Sequence, residues 1–290
     1  MLVKPVRQAH GKPSIGIMQS RLTPSKGRGI QFFPFDEWEK EFERSVEIGL
    51  NEIDFIFDRP NYEQNPLWSH AGISRVRDLI SKTGVRVNSI CADLFMRLPP
   101  HNWPWTENAS LCRFFLSSLT QSAYRVGAKI VEIPLLVDSS LNAAHRRTNF
   151  IGFLNLCLST ARYFGVTLAI ETDLSPKELL SLASVFNGEV KLVYDIGNSA
   201  SLGYDPAEEI EMLGGCIINV HIKDRTLGGG TVPLGTGAVD FDAVFSMLAK
   251  KSYKGSFIFQ AARGEDGKEI ETVAEQIAFL RKYLEKYGFI

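Results

Sequence analysis

Four side chains that can bind a metal ion stand in four successive apolar segments of the sequence. Glu171 ends VTLAIE, Asp195 ends VKLVYD, His221 lies in CIINVHI, and Gln260 ends SFIFQ. Two carboxylates, an imidazole and an amide oxygen form a mostly oxygen donor set, which suits Mn²⁺, Mg²⁺ or Co²⁺ and also permits Zn²⁺. One such residue alone is more often a hydrogen-bonding or loop residue. Their shared position in four segments predicts a site for one divalent metal ion.

These four segments belong to a longer series of short, apolar, β-branched runs that alternate with amphipathic stretches. Runs without polar alternation are typical of parallel strands that helices cover on the outside. The first run continues into MQSR and carries no G-x-G-x-x-G, which argues against an open dinucleotide-binding sheet. We therefore predict an α/β protein, a single (β/α)8 TIM barrel over residues 1–290. Its eight parallel strands, with outer helices between them, are predicted at residues 14–18, 52–57, 85–91, 129–134, 166–171, 190–195, 216–222 and 256–260.

Capping residues mark several ends of the intervening helices. Ser175 and Asp205 each precede a proline and a glutamate, and Asp36 with Glu39 resembles a capping box. Glycines that follow an amphipathic stretch indicate helix ends. These are Gly49, Gly127 and Gly165.

A TIM barrel concentrates its function at the carboxyl ends of its strands and in the loops that follow them. Neighbouring strands lie about 4.8 Å apart, so side chains at one height on successive strands can meet at a single ion. Positive charge follows the seventh and eighth runs, at Lys223, Arg225 and Arg263, beside glycine-rich stretches at 228–230 and 235–237. These residues are predicted to contact a phosphate or carboxylate of the substrate. Gln19 and Arg21, after the first run, are placed to reach hydroxyl groups of a substrate.

The bulk composition excludes several classes of protein. The net charge of −1 gives no general attraction to nucleic acid or to an anionic membrane. The four cysteines form no C-x-x-C pair, and no apolar run reaches the roughly 20 residues of a membrane span. The N-terminus has no apolar segment typical of a secretory signal. We expect a cytoplasmic protein without a nucleic-acid or membrane partner.

Several motifs together give the chain a resemblance to a known family. The order LAIETD, LVYDIGN, NVHIKDR and GSFIFQ, with GIMQSRL, SICADLFM and VPLGTGAVDF, resembles the xylose-isomerase-like superfamily and its sugar phosphate isomerase/epimerase branch. The resemblance implies that Glu171, Asp195 and His221 bind the metal and that Glu171 is also the base. It further implies proton transfer through a metal-stabilised enediolate of a small sugar or sugar phosphate, and a possible homo-oligomer.

Two positions depart from the pattern of that family. Gln260 stands where a glutamate usually binds the metal and serves as a second acid or base, and Asn198 replaces a histidine. An amide oxygen can bind a metal but cannot take a proton near neutral pH. A one-base aldose–ketose isomerisation is therefore easier to write than an epimerisation. An epimerase needs another acid, for which Asp93, Glu132 and Asp138 are candidates; Asp93, Asp138 and Asn198 are also predicted to contact substrate.

Three other functions remain open at this point. Dehydration of a sugar or cyclitol uses the same ligands, and a non-catalytic sugar-binding barrel is compatible with the loss of the second glutamate. An endonuclease for abasic DNA shares the barrel, but it needs more metal ligands and usually a basic surface. Trp103 and Trp105 lie after the third run and are predicted to form an apolar wall over the sugar or an oligomer contact.

Overall fold

The strands of the computed structural model, which describes residues 13–102 and 107–290, agree closely with the predicted runs. All eight predicted runs are strands, and two short strands form a hairpin after the seventh. The strands are β1 (Ser14–Met18), β2 (Glu52–Ile56), β3 (Arg86–Cys91), β4 (Ile130–Leu135), β5 (Thr167–Thr172), β6 (Val190–Asp195), β7 (Ile217–Ile222), β8 (Asp224–Arg225), β9 (Thr231–Val232) and β10 (Ser256–Phe259).

Eight of these strands close into a parallel barrel in the order β1-β10-β7-β6-β5-β4-β3-β2. Strand β1 pairs with both β2 and β10, so the barrel has no free edge. Strands β8 and β9 form a separate antiparallel pair in the loop after β7. The chain thus has the predicted (β/α)8 TIM-barrel fold.

Helices surround the barrel and connect most of its strands. Their apolar faces pack on the outer face of the sheet, where Phe42, Phe115, Phe153 and Phe245 are buried completely or almost so. The helices are α1 (Lys40–Glu47), α2 (His70–Thr83), α3 (Leu94–Arg97), α4 (Glu107–Val126), α5 (Ala144–Phe164), α6 (Pro176–Ser184), α7 (Ile196–Ser201), α8 (Pro206–Leu213), α9 (Phe241–Lys250) and α10 (Glu269–Lys286). No described helix combines the length and apolarity needed to cross a lipid bilayer.

The predicted helix ends are confirmed with one exception. Asp205 caps α8 by accepting hydrogen bonds from two backbone N–H groups, and Ser175 donates to the Glu178 carboxylate at the start of α6. Gly165 ends α5 in the left-handed conformation, at a φ of 63°. The predicted start at Asp36 is wrong. The N–H groups of Glu37 and Trp38 both bond to the carbonyl of Pro34, which makes this segment a series of turns, and α1 begins only at Lys40.

Candidate metal centre

Three of the predicted metal ligands meet at the carboxyl ends of adjacent strands. Glu171 and Asp195 lie at the ends of β5 and β6, and His221 of β7 pairs in register with Asp195. One ligand atom from each of the three lies within 4.8 Å of the other two. Their side chains are buried, so their positions are fixed by the strands that carry them. A divalent ion could bind all three at once.

His221 is held between carboxylates on both sides of its ring. Its Nδ1 lies 3.7 Å from Glu171 Oε2, while its Nε2 lies 3.2 Å from Glu132 and 3.4 Å from Asp54. Burial lowers the pKa of His221, but the surrounding carboxylates, Glu132 first, outweigh this and raise the pKa well above its usual range. Nδ1 thus faces Glu171, and Nε2 faces Asp54 and Glu132, which with His221 form a second group of three residues able to hold a metal ion.

Gln260, the fourth predicted ligand, follows β10 and continues the pairing with β7 through a bond from its N–H to the carbonyl of Ile222. Its Nε2 donates to Gln31 Oε1 at 2.9 Å. Its Oε1 is buried and has no hydrogen-bond partner, and neither has Nδ1 of His221. Buried polar atoms normally have partners, and an unpaired imidazole nitrogen and an unpaired amide oxygen, together with the carboxylates of Glu171 and Asp195, fit the donor set of a metal site. The described residues are therefore suited to hold a divalent cation.

Glu171 has the surroundings expected for a base. Burial raises its pKa to about 7, while the charge of His221 lowers the pKa and that of Asp195 raises it. Asn198 donates its Nδ2 to Glu171 Oε1 at 2.8 Å, and Arg225 donates to Asn198 Oδ1 at 2.9 Å. Because arginine can only donate, it turns the amide of Asn198 so that its N–H faces Glu171. Asn198 and Arg225 therefore orient the carboxylate of Glu171.

Asp195 is tied to the protein through both of its oxygens. Oδ1 accepts hydrogen bonds from the N–H groups of Gly197 and Asn198 and thereby caps α7. Oδ2 accepts one from Lys223 Nζ at 2.7 Å. Each carboxylate oxygen has two lone-pair positions, so Oδ2, which accepts one hydrogen bond, can still bind a cation. The ammonium of Lys223 balances the charge of Asp195 in the metal-free protein.

A cavity of about 640 Å³ opens above these residues. Glu171, Lys223 and Gln260 lie on its wall, and so do two further predicted substrate contacts, Asp93 and Asp138. Burial raises the pKa of Asp93 to about 6. The cavity is large enough for a sugar, and the carboxylates of Asp93 and Asp138 can accept hydrogen bonds from hydroxyl groups.

Several other predicted substrate contacts have partners within the protein. Arg21 donates to the carbonyls of Ile30 and Ala261, and Arg263 donates to Ser20, Thr23 and Ile30. None of Gln19, Arg21, Arg225 and Arg263 is among the cavity-lining residues in the described part of the chain. The amide oxygen of Gln19 accepts a hydrogen bond from the N–H of Ile56. These four side chains connect the loops at the rim of the barrel.

The glycine-rich loop after β7 is predicted to bind a substrate anion. In the structure its N–H groups instead bind a carboxylate of the protein, that of Asp224. The buried carboxylate of Asp224 accepts hydrogen bonds from the N–H groups of Gly235, Gly237 and Val239, at 2.8, 2.9 and 3.2 Å. These bonds occupy the donors that a phosphate would need. Asp224 follows His221 by three residues, and it was not considered in the prediction.

Sequence reasoning missed or undervalued three residues beside the centre. Asp54 and Glu132 flank Nε2 of His221 inside the barrel, so Glu132 does not line the cavity as a second acid would. Gln31 lies in an irregular loop, and nothing in its sequence neighbourhood distinguishes it. Trp103 and Trp105 lie outside the described residues.

Known proteins are similar to this chain in sequence and in fold. The chain is 26% identical over 234 residues to L-ribulose-5-phosphate 3-epimerase UlaE of Escherichia coli O1:K1, covering 77% of this chain and 81% of that protein. Its fold is similar to that of a D-tagatose 3-epimerase-like protein, with a TM-score of 0.72 and 18% identity over 95% of this chain and 98% of the other. It is also similar to IolI protein with a bound zinc atom, with a TM-score of 0.73 and 16% identity over 93% and 99%.

The two structural likenesses concern the fold alone. The family itself is shown by a family model described as the xylose isomerase-like TIM barrel, which matches residues 42–283 and so spans every barrel strand except β1. The resemblance noted in the sequence is thereby confirmed, and the chain belongs to the xylose isomerase-like TIM-barrel family.

Proposed function

We propose that this protein is a divalent-metal-dependent isomerase or epimerase of a small ketose sugar. The observation that carries the proposal is the cluster of Glu171, Asp195 and His221, whose ligand atoms lie within 4.8 Å of one another beside a cavity of about 640 Å³. The relative named as an L-ribulose-5-phosphate 3-epimerase supports the same class of reaction.

The residues divide the reaction between them. The ligands that would hold a divalent ion are Glu171, Asp195, His221 and the amide oxygen of Gln260. When bound, a divalent ion supplies positive charge that stabilises negative charge developing on the sugar oxygens. Glu171 takes the proton from the carbon next to the carbonyl, and Asn198 keeps the carboxylate oriented for that transfer. The pKa of about 7 makes Glu171 a stronger base than an ordinary carboxylate.

Two reactions use this arrangement, and different observations favour them. A one-base aldose–ketose isomerisation needs only Glu171, which moves one proton between neighbouring carbons on one face. Epimerisation protonates the opposite face and needs a second acid, which Gln260 cannot be. The similarity to an L-ribulose-5-phosphate 3-epimerase favours 3-epimerisation, and for that reaction Asp93 and Asp138, which line the cavity, are the candidate acids.

The charges of the cavity favour an uncharged sugar over a sugar phosphate. Two cations line it among the described residues, and both have carboxylate partners: Arg97 lies 3.3 Å from Asp58, and Lys223 lies 2.7 Å from Asp195. The predicted phosphate contacts Arg225 and Arg263 bind protein carbonyls instead. The cavity wall also carries the carboxylates of Asp58, Asp93, Asp138 and Glu171.

Metal analysis tests the centre. Protein purified without added metal, and after incubation with Mn²⁺, is expected to hold about one divalent ion per chain, and His221→Ala is expected to lose it. A parent protein that binds no Mn²⁺ would contradict the proposed mechanism and favour a non-catalytic sugar-binding barrel.

Turnover in D₂O tests the reaction. Ketopentoses and ketohexoses, with their phosphates in parallel, are incubated with the Mn²⁺-loaded protein and analysed by NMR. Deuterium at C1 of the ketose indicates isomerisation, and deuterium at C3 indicates epimerisation. Exchange restricted to phosphorylated sugars would overturn the preference for uncharged substrates.

A further inference from the structure

We propose that Gln31 and Asp93 are positioning residues that hold the amide of Gln260 with its oxygen towards the metal. The inference rests on the proposed metal centre. It assigns a function to two residues of the loops after β1 and β3, neither of which is among the proposed ligands. The observation behind it is a chain of three side chains that runs from the cavity wall to the centre.

The chain begins at Asp93. Both of its carboxylate oxygens accept hydrogen bonds from Nε2 of Gln31, at 3.0 and 2.7 Å. An ionised carboxylate can only accept, so it selects the donor end of the Gln31 amide. Oε1 of Gln31 must then face the other way.

Gln260 receives this orientation. Its Nε2 donates to Gln31 Oε1 at 2.9 Å, which is the only arrangement that pairs a donor with this acceptor. Its own Oε1 is therefore turned away from Gln31, and it is the buried oxygen that has no partner. Each amide donates to one neighbour through its nitrogen and turns its oxygen to the other side. The acceptor at Asp93 therefore determines that Gln260 turns its oxygen, and not its nitrogen, towards the metal.

The same logic explains why position 260 carries an amide. A glutamate there would place a carboxylate oxygen against Oε1 of Gln31, and two acceptors repel each other. Gln31 could relieve this only by turning its Nε2 towards residue 260, which would set its Oε1 against the carboxylate of Asp93. The loop around Gln31 therefore suits glutamine and disfavours glutamate at position 260.

A reversal experiment tests this inference through Mn²⁺ affinity, measured by calorimetry at pH 8. Asp93→Asn is expected to weaken Mn²⁺ binding about 10- to 100-fold in the parent, because an asparagine there can present either end of its amide and no longer orients Gln31. In a Gln260→Glu background the same substitution is expected to strengthen binding about tenfold or more. In that background the new amide at position 93 donates to Gln31 Oε1, and Gln31 donates to the new carboxylate at position 260.

Simple electrostatics predicts weaker binding in both backgrounds, since the substitution removes a negative charge near a cation site, so the two accounts differ only in the Gln260→Glu background. Asp58→Asn is the matched control: Asp58 also lines the cavity but pairs with Arg97, so its substitution should act equally in both backgrounds. Gln31→Met serves as a second variant. It should weaken binding in the parent and cancel any further effect of Asp93→Asn.

The outcomes separate this inference from the proposed function. A parent that binds no Mn²⁺ overturns both. A parent that binds Mn²⁺, with Asp93→Asn acting in the same direction in both backgrounds, overturns only the positioning role of Gln31 and Asp93. Opposite signs in the two backgrounds support it, because a purely structural effect has no reason to change sign.

Discussion

Two groups of buried carboxylates lie in this barrel, and they differ in how their oxygens are used. Glu41, on α1, accepts hydrogen bonds from the N–H groups of Ser20 and Leu22 at 3.1 and 3.3 Å and from the hydroxyl of Thr23 at 2.9 Å. Both of its oxygens therefore have partners. Glu41 holds the loop after β1, in which Ser20 has a left-handed φ of 76°.

The carboxylates closest to His221, those of Asp54, Glu132 and Glu171, have fewer such partners. Both oxygens of Asp54 and Oε2 of Glu132 are buried without a well-aligned hydrogen bond, and Oε1 of Gln260 is likewise unpaired. Burial raises the pKa of Glu41 and of Glu171 alike to about 7, so neither burial nor the pKa distinguishes the two groups. Unused hydrogen-bonding capacity does distinguish them, because both oxygens of Glu41 are paired and both oxygens of Asp54 are not.

The largest expected effect comes from Glu171→Gln. An amide cannot take the proton, so turnover of the best substrate found in D₂O should fall about 10²- to 10⁴-fold. The midpoint of thermal unfolding should not fall, because the substitution removes a buried charge. A loss of turnover below about tenfold would mean that Glu171 is not the base.

The second expected effect is stabilisation by metal. An ion that binds only the folded state adds about 2.7 kcal/mol to the free energy of unfolding at 100 times its Kd. Mn²⁺ should therefore raise the melting temperature of the parent, measured by calorimetry, and leave that of His221→Ala unchanged. An equal rise in both proteins would place the bound ion elsewhere.

Glu41, whose oxygens both have hydrogen-bond partners, should affect the stability of the protein and not its Mn²⁺ affinity. Glu41→Gln replaces an acceptor by a donor beside backbone N–H groups, and it should lower the free energy of unfolding in urea by about 1–3 kcal/mol. The Mn²⁺ affinity should stay unchanged. Glu47→Gln, on the exposed face of the same helix, is the control and should alter neither quantity. A loss of Mn²⁺ binding in Glu41→Gln would break the distinction between the two groups.

The remaining prediction concerns pH. Glu41 and Glu171 have folded-state pKa values of about 7, above the usual 4.5, so the folded protein keeps protons that the unfolded chain has released. The free energy of unfolding of the metal-free protein should therefore fall as the pH rises from about 4.5 to 7 and then level off. Each group contributes at most about 1.4 kcal/mol per pH unit. Glu171→Gln should make the fall shallower; an unchanged slope would contradict the raised pKa of Glu171.

Much of the fold follows directly from the sequence. Barrel strands covered by helices are buried on both faces, so they appear as apolar runs, and all eight runs are strands. Glu171, Asp195 and His221 could be predicted to meet because adjacent parallel strands bring their carboxyl ends together. The start of α1 could not be predicted, since Asp36 has a capping pattern but the carbonyl of Pro34 organises turns there.

The sequence by itself determined the barrel and the residues at the ends of its strands, because both depend on periodicity and on the order of the elements. Only the tertiary structure decided which polar groups are already paired. Asp224 occupies the N–H groups of the glycine-rich loop, Arg263 binds three residues of the loop after β1, and Gln31 links Asp93 to Gln260. These contacts join residues that are distant along the chain, and no local pattern encodes which donor meets which acceptor.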